Sequence, residues 1–254
     1  MLRWFSRAGV VASSLSTIEQ DVSKRISRHQ YVKSQRKLKN LERILELAMS
    51  FSLEQGAAED LDPDWFFSFI DMAENIHSPA MQELWGKIYA VEIGTPGSFS
   101  LKTLKTLKNL THKDAKLLKT AVSLASRRKG EHGLKIMVGY HIKPSLLSLL
   151  RLPQLHQVNI AAYGLAYPDL LALMDLGLIY SSEIESSELD TSSRVEYRIG
   201  TDVYYLAPKK RGLSLTYYKL TSTGVELARL INSRAKERYL EELLTVFKPD
   251  FDTN

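Results

Sequence analysis

Asp62-Pro63-Asp64-Trp65-Phe66-Phe67, Ser78-Pro79-Ala80-Met81-Gln82-Glu83-Leu84-Trp85 and Glu92-Ile93-Gly94-Thr95-Pro96-Gly97-Ser98-Phe99-Ser100 punctuate one stretch of the chain, and their reading decides the fold. Asp62-Pro63 is a helix start, because aspartate caps and proline takes the first position, where no donor is needed. Trp65, Phe66, Phe69, Ile70 and Ala73 follow at helical spacing. Ser78-Pro79 repeats the grammar ahead of Met81, Leu84, Trp85, Ile88 and Val91. Pro96 and Gly97 then make a tight turn, with proline setting φ and glycine allowing positive φ. Ser100 caps a helix whose inner face is Leu101, Leu104 and Leu107. Thr111 starts another through Ala115, Leu118, Val122 and Ala125, which the run Arg127-Arg128-Lys129-Gly130 is expected to close.

Upstream, Ser16-x-x-Glu19 reads as a capping box. Leu41, Ile44, Leu45, Ala48 and Phe51 give the helix that follows one apolar face, and Gln55-Gly56 is its expected end. Downstream of Gly130 the texture changes. Leu134–Val138, Leu178–Tyr180, Val195–Ile199, Val203–Leu206 and Leu213–Leu220 read as strands, and Ser181–Ser193 as a loop. Helices are expected at Ser145–Leu150, from Tyr167 to Gly177, from Thr221 or Ser222, and around Tyr239, Leu243 and Phe247.

The 254 residues are 44% hydrophobic and 25% charged, an ordinary globular composition. With no cysteine there is neither a disulfide nor a thiolate nucleophile or ligand. The net charge of +5 favours polyanionic partners only modestly. Charge comes in blocks. Lys24, Arg25, Arg28, Lys33, Arg36, Lys37 and Lys39 are basic; Glu59, Asp60, Asp62, Asp64, Asp71, Glu74, Glu83 and Glu92 are acidic; Lys102 to Lys129 is basic again. Mutual neutralisation of these blocks is the plainest reading. No run reaches the ~18 apolar residues of a membrane span. Leu2, Trp4, Phe5, Val10 and Val11 could anchor residues 1–14 at an interface.

Gln82-Glu83-Leu84-Trp85-Gly86-Lys87-Ile88-Tyr89-Ala90-Val91-Glu92-Ile93, then Pro96-Gly97-Ser98-Phe99-Ser100, Thr103–Leu110 and Asp114-Ala115, resembles the signature of a bacterial family, the domain-of-unknown-function family 2806. More loosely, the order helix, Leu-Trp, break, helix, Asp-Ala is similar to abortive-infection alpha proteins, which implies a link to phage resistance. Neither resemblance carries a catalytic residue. Physically the signature reads as structure: Trp85 anchors packing, Pro96-Gly97 turns the chain and Ser100 caps.

The motifs of common chemistries are missing. The six histidines are scattered without ligand spacing, and no phosphate loop of the Gly-x4-Gly-Lys-Ser/Thr kind occurs. Asp71 and Glu74 share a helical face that surface charge explains as well as a metal does. Lys102, Lys105 and Lys108, with Lys113, Lys116 and Lys119, form basic ladders beside leucine ladders, and these suit nucleic acid or anionic lipid. Tyr167 to Ile231 resembles the end of a winged helix. Its recognition helix would carry Asp169 and Asp175 and no base, which leaves only Lys209, Lys210 and Arg211 on a turn to touch a phosphate.

The expected fold is therefore mainly α with a smaller α+β part: a basic helical arm (1–60), a helical bundle (61–130) and a winged-helix-like domain (131–254). The expected role is non-enzymatic interaction or regulation, with a place in phage defence implied by the looser resemblance. A protein partner or self-association leads, nucleic acid through the basic stripes follows, and a membrane surface through residues 1–14 comes third. No cofactor, metal or small-molecule substrate is expected. The expected location is cytoplasmic, with membrane-peripheral attachment as the variant.

Overall fold

The computed structural model describes residue 8 and residues 22–51, 61–143 and 156–253. The capping box at Ser16, the helix end at Gln55-Gly56, the helix Ser145–Leu150 and nearly all of the 1–14 anchor lie outside them. The chain divides into two compact units, residues 1–108 and 109–254.

The first unit is built from α1 (Val22–Phe51), α2 (Pro63–Ala73), α3 (Pro79–Gly94) and α4 (Leu101–Asn109). Asp62 caps α2 as its sequence predicts, accepting from the Asp64 and Trp65 amides with Pro63 in the first turn. α2 meets α3 through aromatic rings: Phe69 lies 5.2 Å from Trp65, 5.2 Å from Trp85 and 5.3 Å from Tyr89. α1 packs on α3 where Gly86 lets the backbones close in. A Cβ there would sit 2.9 Å from the Leu47 Cβ and 3.2 Å from the Ile44 carbonyl oxygen. Buried amides tie the three together. Asn40 donates to the Glu74 carbonyl (2.8 Å), and Gln82 donates to Asn40 (3.1 Å) and to the Ile76 carbonyl (2.9 Å). Only the second half of α1 takes part, since its buried residues are Asn40, Ile44 and Ala48.

The second unit holds α5 (His112–Leu124), α6 (Tyr167–Asp175), α7 (Ser222–Ala228), α8 (Glu237–Phe247) and strands β1 (Ala125–Arg128), β2 (Leu134–Ile142), β3 (His156–Gln157), β4 (Ile184–Glu185), β5 (Val195–Ile199), β6 (Asp202–Pro208), β7 (Leu213–Lys219) and β8 (Phe251–Asp252). They form one eight-stranded sheet in the order β4-β7-β2-β1-β5-β6-β8, with β3 added to β2. Every pairing in it is antiparallel. α8 lies on β2, where the buried Tyr239 hydroxyl donates to the Met137 carbonyl at 2.6 Å. Tyr140 of β2 meets Phe247 of α8 at 5.6 Å and Phe251 of β8 at 5.2 Å. β3 crosses close enough that a Cβ at Gly139 would lie 1.9 Å from the His156 carbonyl oxygen.

This architecture overturns the expected helical bundle with a winged-helix annex. α1, at 30 residues, outruns its partners, and its first half adds no buried residue to any bundle. The strands of the stretch read as winged-helix-like do not form a separate wing: β5 joins β1, β7 joins β2, and β6 and β7 are not neighbours. The misreading turns on Arg127-Arg128-Lys129-Gly130. Leu124 ends α5, Ala125 is extended (φ −84°, ψ 131°), and residues 125–128 form a strand between β2 and β5. Gly130, at φ +82°, belongs to the turn from β1 to β2. A basic run followed by glycine suits a helix C-terminus and a hairpin equally; long-range pairing decides between them. Leu178–Tyr180 contributes only an isolated bridge, Ile179 to Leu220.

Candidate functional site

The loop after α3 is held from within. Glu92 is 3% exposed, and its carboxylate accepts from the Gly97 amide (2.6 Å) and the Phe99 amide (2.9 Å). The Trp65 indole donates to the Phe99 carbonyl at 2.6 Å, and the Ser98 hydroxyl to the Thr95 carbonyl at 2.6 Å. Gly97 has φ +81°, as the Pro96-Gly97 turn requires. Ser100 caps α4 by accepting from the Thr103 amide at 3.3 Å. Trp85 is fully buried, and among the described residues its indole N–H has no hydrogen-bond partner. A phosphate offered to this loop would meet amides already bound to a carboxylate. The sequence shows Glu92 only as one more acid in an acidic block; its position before the turn carried the missed signal.

The acidic block does not gather. Glu74 pairs with Lys37, Glu83 with Lys87 (2.8 Å), and Glu92 is committed to its loop. Among the described residues no three metal-ligating side chains come together.

The basic residues separate into two kinds. Lys209 and Lys210 are neutralised by the chain's own end: Lys210 pairs with Asp250 at 2.6 Å, and Lys209 with Asp252 at 3.5 Å and the Lys248 carbonyl at 2.9 Å. Burial pushes the Asp250 carboxyl up, but the Lys210 ammonium and the Tyr140 hydroxyl more than reverse this and leave it below the usual carboxylate range. Arg211 lies in the same exposed turn. The other kind is exposed and unpaired. Lys102, Lys105 and Lys108 lie on the outer side of α4, opposite the buried Thr103, Leu104 and Leu107. Lys113 and Lys116 are exposed on α5. Among the described residues none of these five has an ion-pair partner.

The longest such surface is the first two-thirds of α1. From Val22 to Leu41 it carries seven Lys and Arg residues and no acid. Of the seven, Lys37 alone is in an ion pair among the described residues. At 100° per residue, Lys24, Arg25, Arg28, Arg36 and Lys39 fall within about a third of the helix circumference. Of these five, Lys24, Arg28 and Lys39 are exposed and Arg25 and Arg36 half-buried.

A cleft of about 560 Å³ opens in the second unit, along the seam of β1 and β5. Arg127 and Arg198 are cross-strand partners there, so both side chains leave the same face of the sheet. Sequence reading missed this pair, since only strand pairing brings the two together. Lys129 is joined to Glu196 at 2.8 Å, which raises the lysine above its ordinary range. Glu131 is taken by Lys135 (2.7 Å) and Arg128 (3.3 Å).

No curated protein and no solved structure matches the chain. A family described as protein of unknown function (DUF2806) matches residues 24–244, which include the basic half of α1, the Glu92 loop and both arginines of the seam. The likeness carried by Gln82 to Ala115 thus extends over most of the sequence, and the chain belongs to this family.

Proposed function

We propose that this is a non-enzymatic interaction protein whose partner is a nucleic acid, held along the basic residues 22–41 of α1. One observation carries the reading: residues 22–41 of the helix bear seven cationic side chains without an acid, and among the described residues only Lys37 is compensated by an ion pair. Lys24 and Arg28 stand at i, i+4, and Arg36 and Lys39 at i, i+3, spacings at which like charges destabilise a helix. A bound polyanion removes that repulsion and gains from counterion release. Residues 22–39 make a rod roughly 27 Å long, enough to follow several phosphates. The α4 ladder offers further phosphate contacts of the same kind.

The test is fluorescence anisotropy with a labelled DNA duplex. Lys24→Glu with Arg28→Glu should weaken binding at least tenfold, and Lys102→Glu with Lys105→Glu less. Binding unchanged by the α1 pair would overturn the proposal. So would magnesium-dependent cleavage lost in Asp71→Ala, or a protein partner recovered at high salt in place of nucleic acid.

We carry forward the looser likeness to abortive-infection alpha proteins as the setting for such binding in bacteria. Its support is the order of helix, Leu84-Trp85, break, helix and Asp114-Ala115. Equal phage plaque counts with and without the intact protein would remove it.

A further inference from the structure

We infer that the cleft along the β1–β5 seam binds a small organic phosphate, with its phosphate between Arg127 and Arg198 and its body on an apolar wall. Five cationic side chains line the cleft against two carboxylates, Glu131 and Glu196. Both carboxylates are already paired, with Lys135 and Arg128 and with Lys129. Arg127 and Arg198 are exposed, and among the described residues neither has an ion-pair partner. They stand directly opposite in antiparallel register, where like charges destabilise a sheet. An anion between two like charges that oppose each other on adjacent strands relieves their repulsion, and two guanidinium forks match the oxygens of a phosphate.

The remainder of the cleft sets the size and character of the ligand. Its volume of about 560 Å³ lies within the range of small-molecule sites and well above the room one inorganic phosphate needs. Leu134, Ala228 and Ile231 supply an apolar wall beside the arginines. Such a wall rewards a ligand with a carbon body, so an organic phosphate should bind better than the free ion. The cleft is a different surface from the α1 rod, and the inference stands apart from the nucleic-acid proposal.

Isothermal titration calorimetry of the full chain with phenyl phosphate, ADP and inorganic phosphate tests it. One site per chain is expected for phenyl phosphate or ADP, with inorganic phosphate at least tenfold weaker. Arg127→Gln and Arg198→Gln should each weaken the organic phosphate at least tenfold. Lys24→Glu with Arg28→Glu should leave it unchanged, which separates this site from α1. Without ligand, each glutamine variant should keep or raise the thermal midpoint, because it removes a repulsion. The inference falls if neither organic probe gives heat, if the arginine variants bind as the parent does, or if inorganic phosphate binds as tightly as the organic probes.

Discussion

The loop between α3 and α4 and the seam between β1 and β5 treat charge in opposite ways. In the loop, a buried carboxylate meets two amides and an indole meets a carbonyl, so the polar groups answer one another within a few residues. On the seam, two arginines stand opposite each other in register. The loop holds the residues by which the family is recognised, yet its groups are spent on holding the chain. On the seam Arg127 and Arg198, and on α1 all the cations from Lys24 to Lys39 but Lys37, have no ion-pair partner among the described residues. The motif that carries the family resemblance and the surfaces proposed to bind anions are therefore different places.

That contrast can be broken first at Glu92. Glu92→Ala would strand the Gly97 and Phe99 amides in the interior and should cost about 3 kcal/mol in urea unfolding. Glu92→Gln keeps an acceptor and should lose about half as much. A cost below about 0.5 kcal/mol for the alanine would mean that the loop does not depend on its carboxylate.

The two buried tryptophans sharpen the comparison within the first unit. Trp65→Phe removes the donor to the Phe99 carbonyl and should cost about 2 kcal/mol, from a lost hydrogen bond and a lost ring. Trp85→Phe removes an indole N–H that has no partner among the described residues. The relief of that unpaired donor offsets part of the lost packing, so its cost should be smaller, about 1 kcal/mol. Equal midpoint shifts in thermal unfolding would contradict the assignment of these two indoles.

A smaller effect belongs to the C-terminal end of the sheet. Asp250 sits between Lys210 and the Tyr140 hydroxyl, and its carboxyl is held below the usual range. A depressed carboxyl stabilises the fold at pH values above its unfolded pKa, and the contribution disappears as pH falls through the folded value. Asp250→Asn should therefore cost about 1 kcal/mol at neutral pH, with the difference shrinking below about pH 4. A difference that grows on acidification would reverse the sign and refute the pairing.

The local grammar of the sequence proved dependable where a helix start can be satisfied by its own neighbours. Asp62-Pro63, Thr111 with Asp114, and Thr221 ahead of α7 each mark a helix start as read. The errors fall where the partner is remote. Residues 125–128 look helical by continuity with α5, and only β2 and β5 make them a strand. β8 is two residues long and exists through its pairing with β6. The same limit hid the pairing state of the cations. Lys209 and Lys210 read as free cations until Asp250 and Asp252 come back to meet them. Arg127 and Arg198 read as unrelated until their strands pair. The basic run of α1 was plain in the sequence, but whether the acidic block neutralised it could be decided only in three dimensions.

The account rests most heavily on that run being left for a polyanion, and the salt dependence of duplex binding tests it directly. Engagement of five phosphates by Lys24, Arg25, Arg28, Arg36 and Lys39 predicts that log K falls against log salt with a slope of roughly −4 to −5. Lys24→Glu with Arg28→Glu should flatten the slope by about 2. A slope near zero in the parent, or one that the double substitution leaves unchanged, would contradict the assignment of α1 as the nucleic-acid surface.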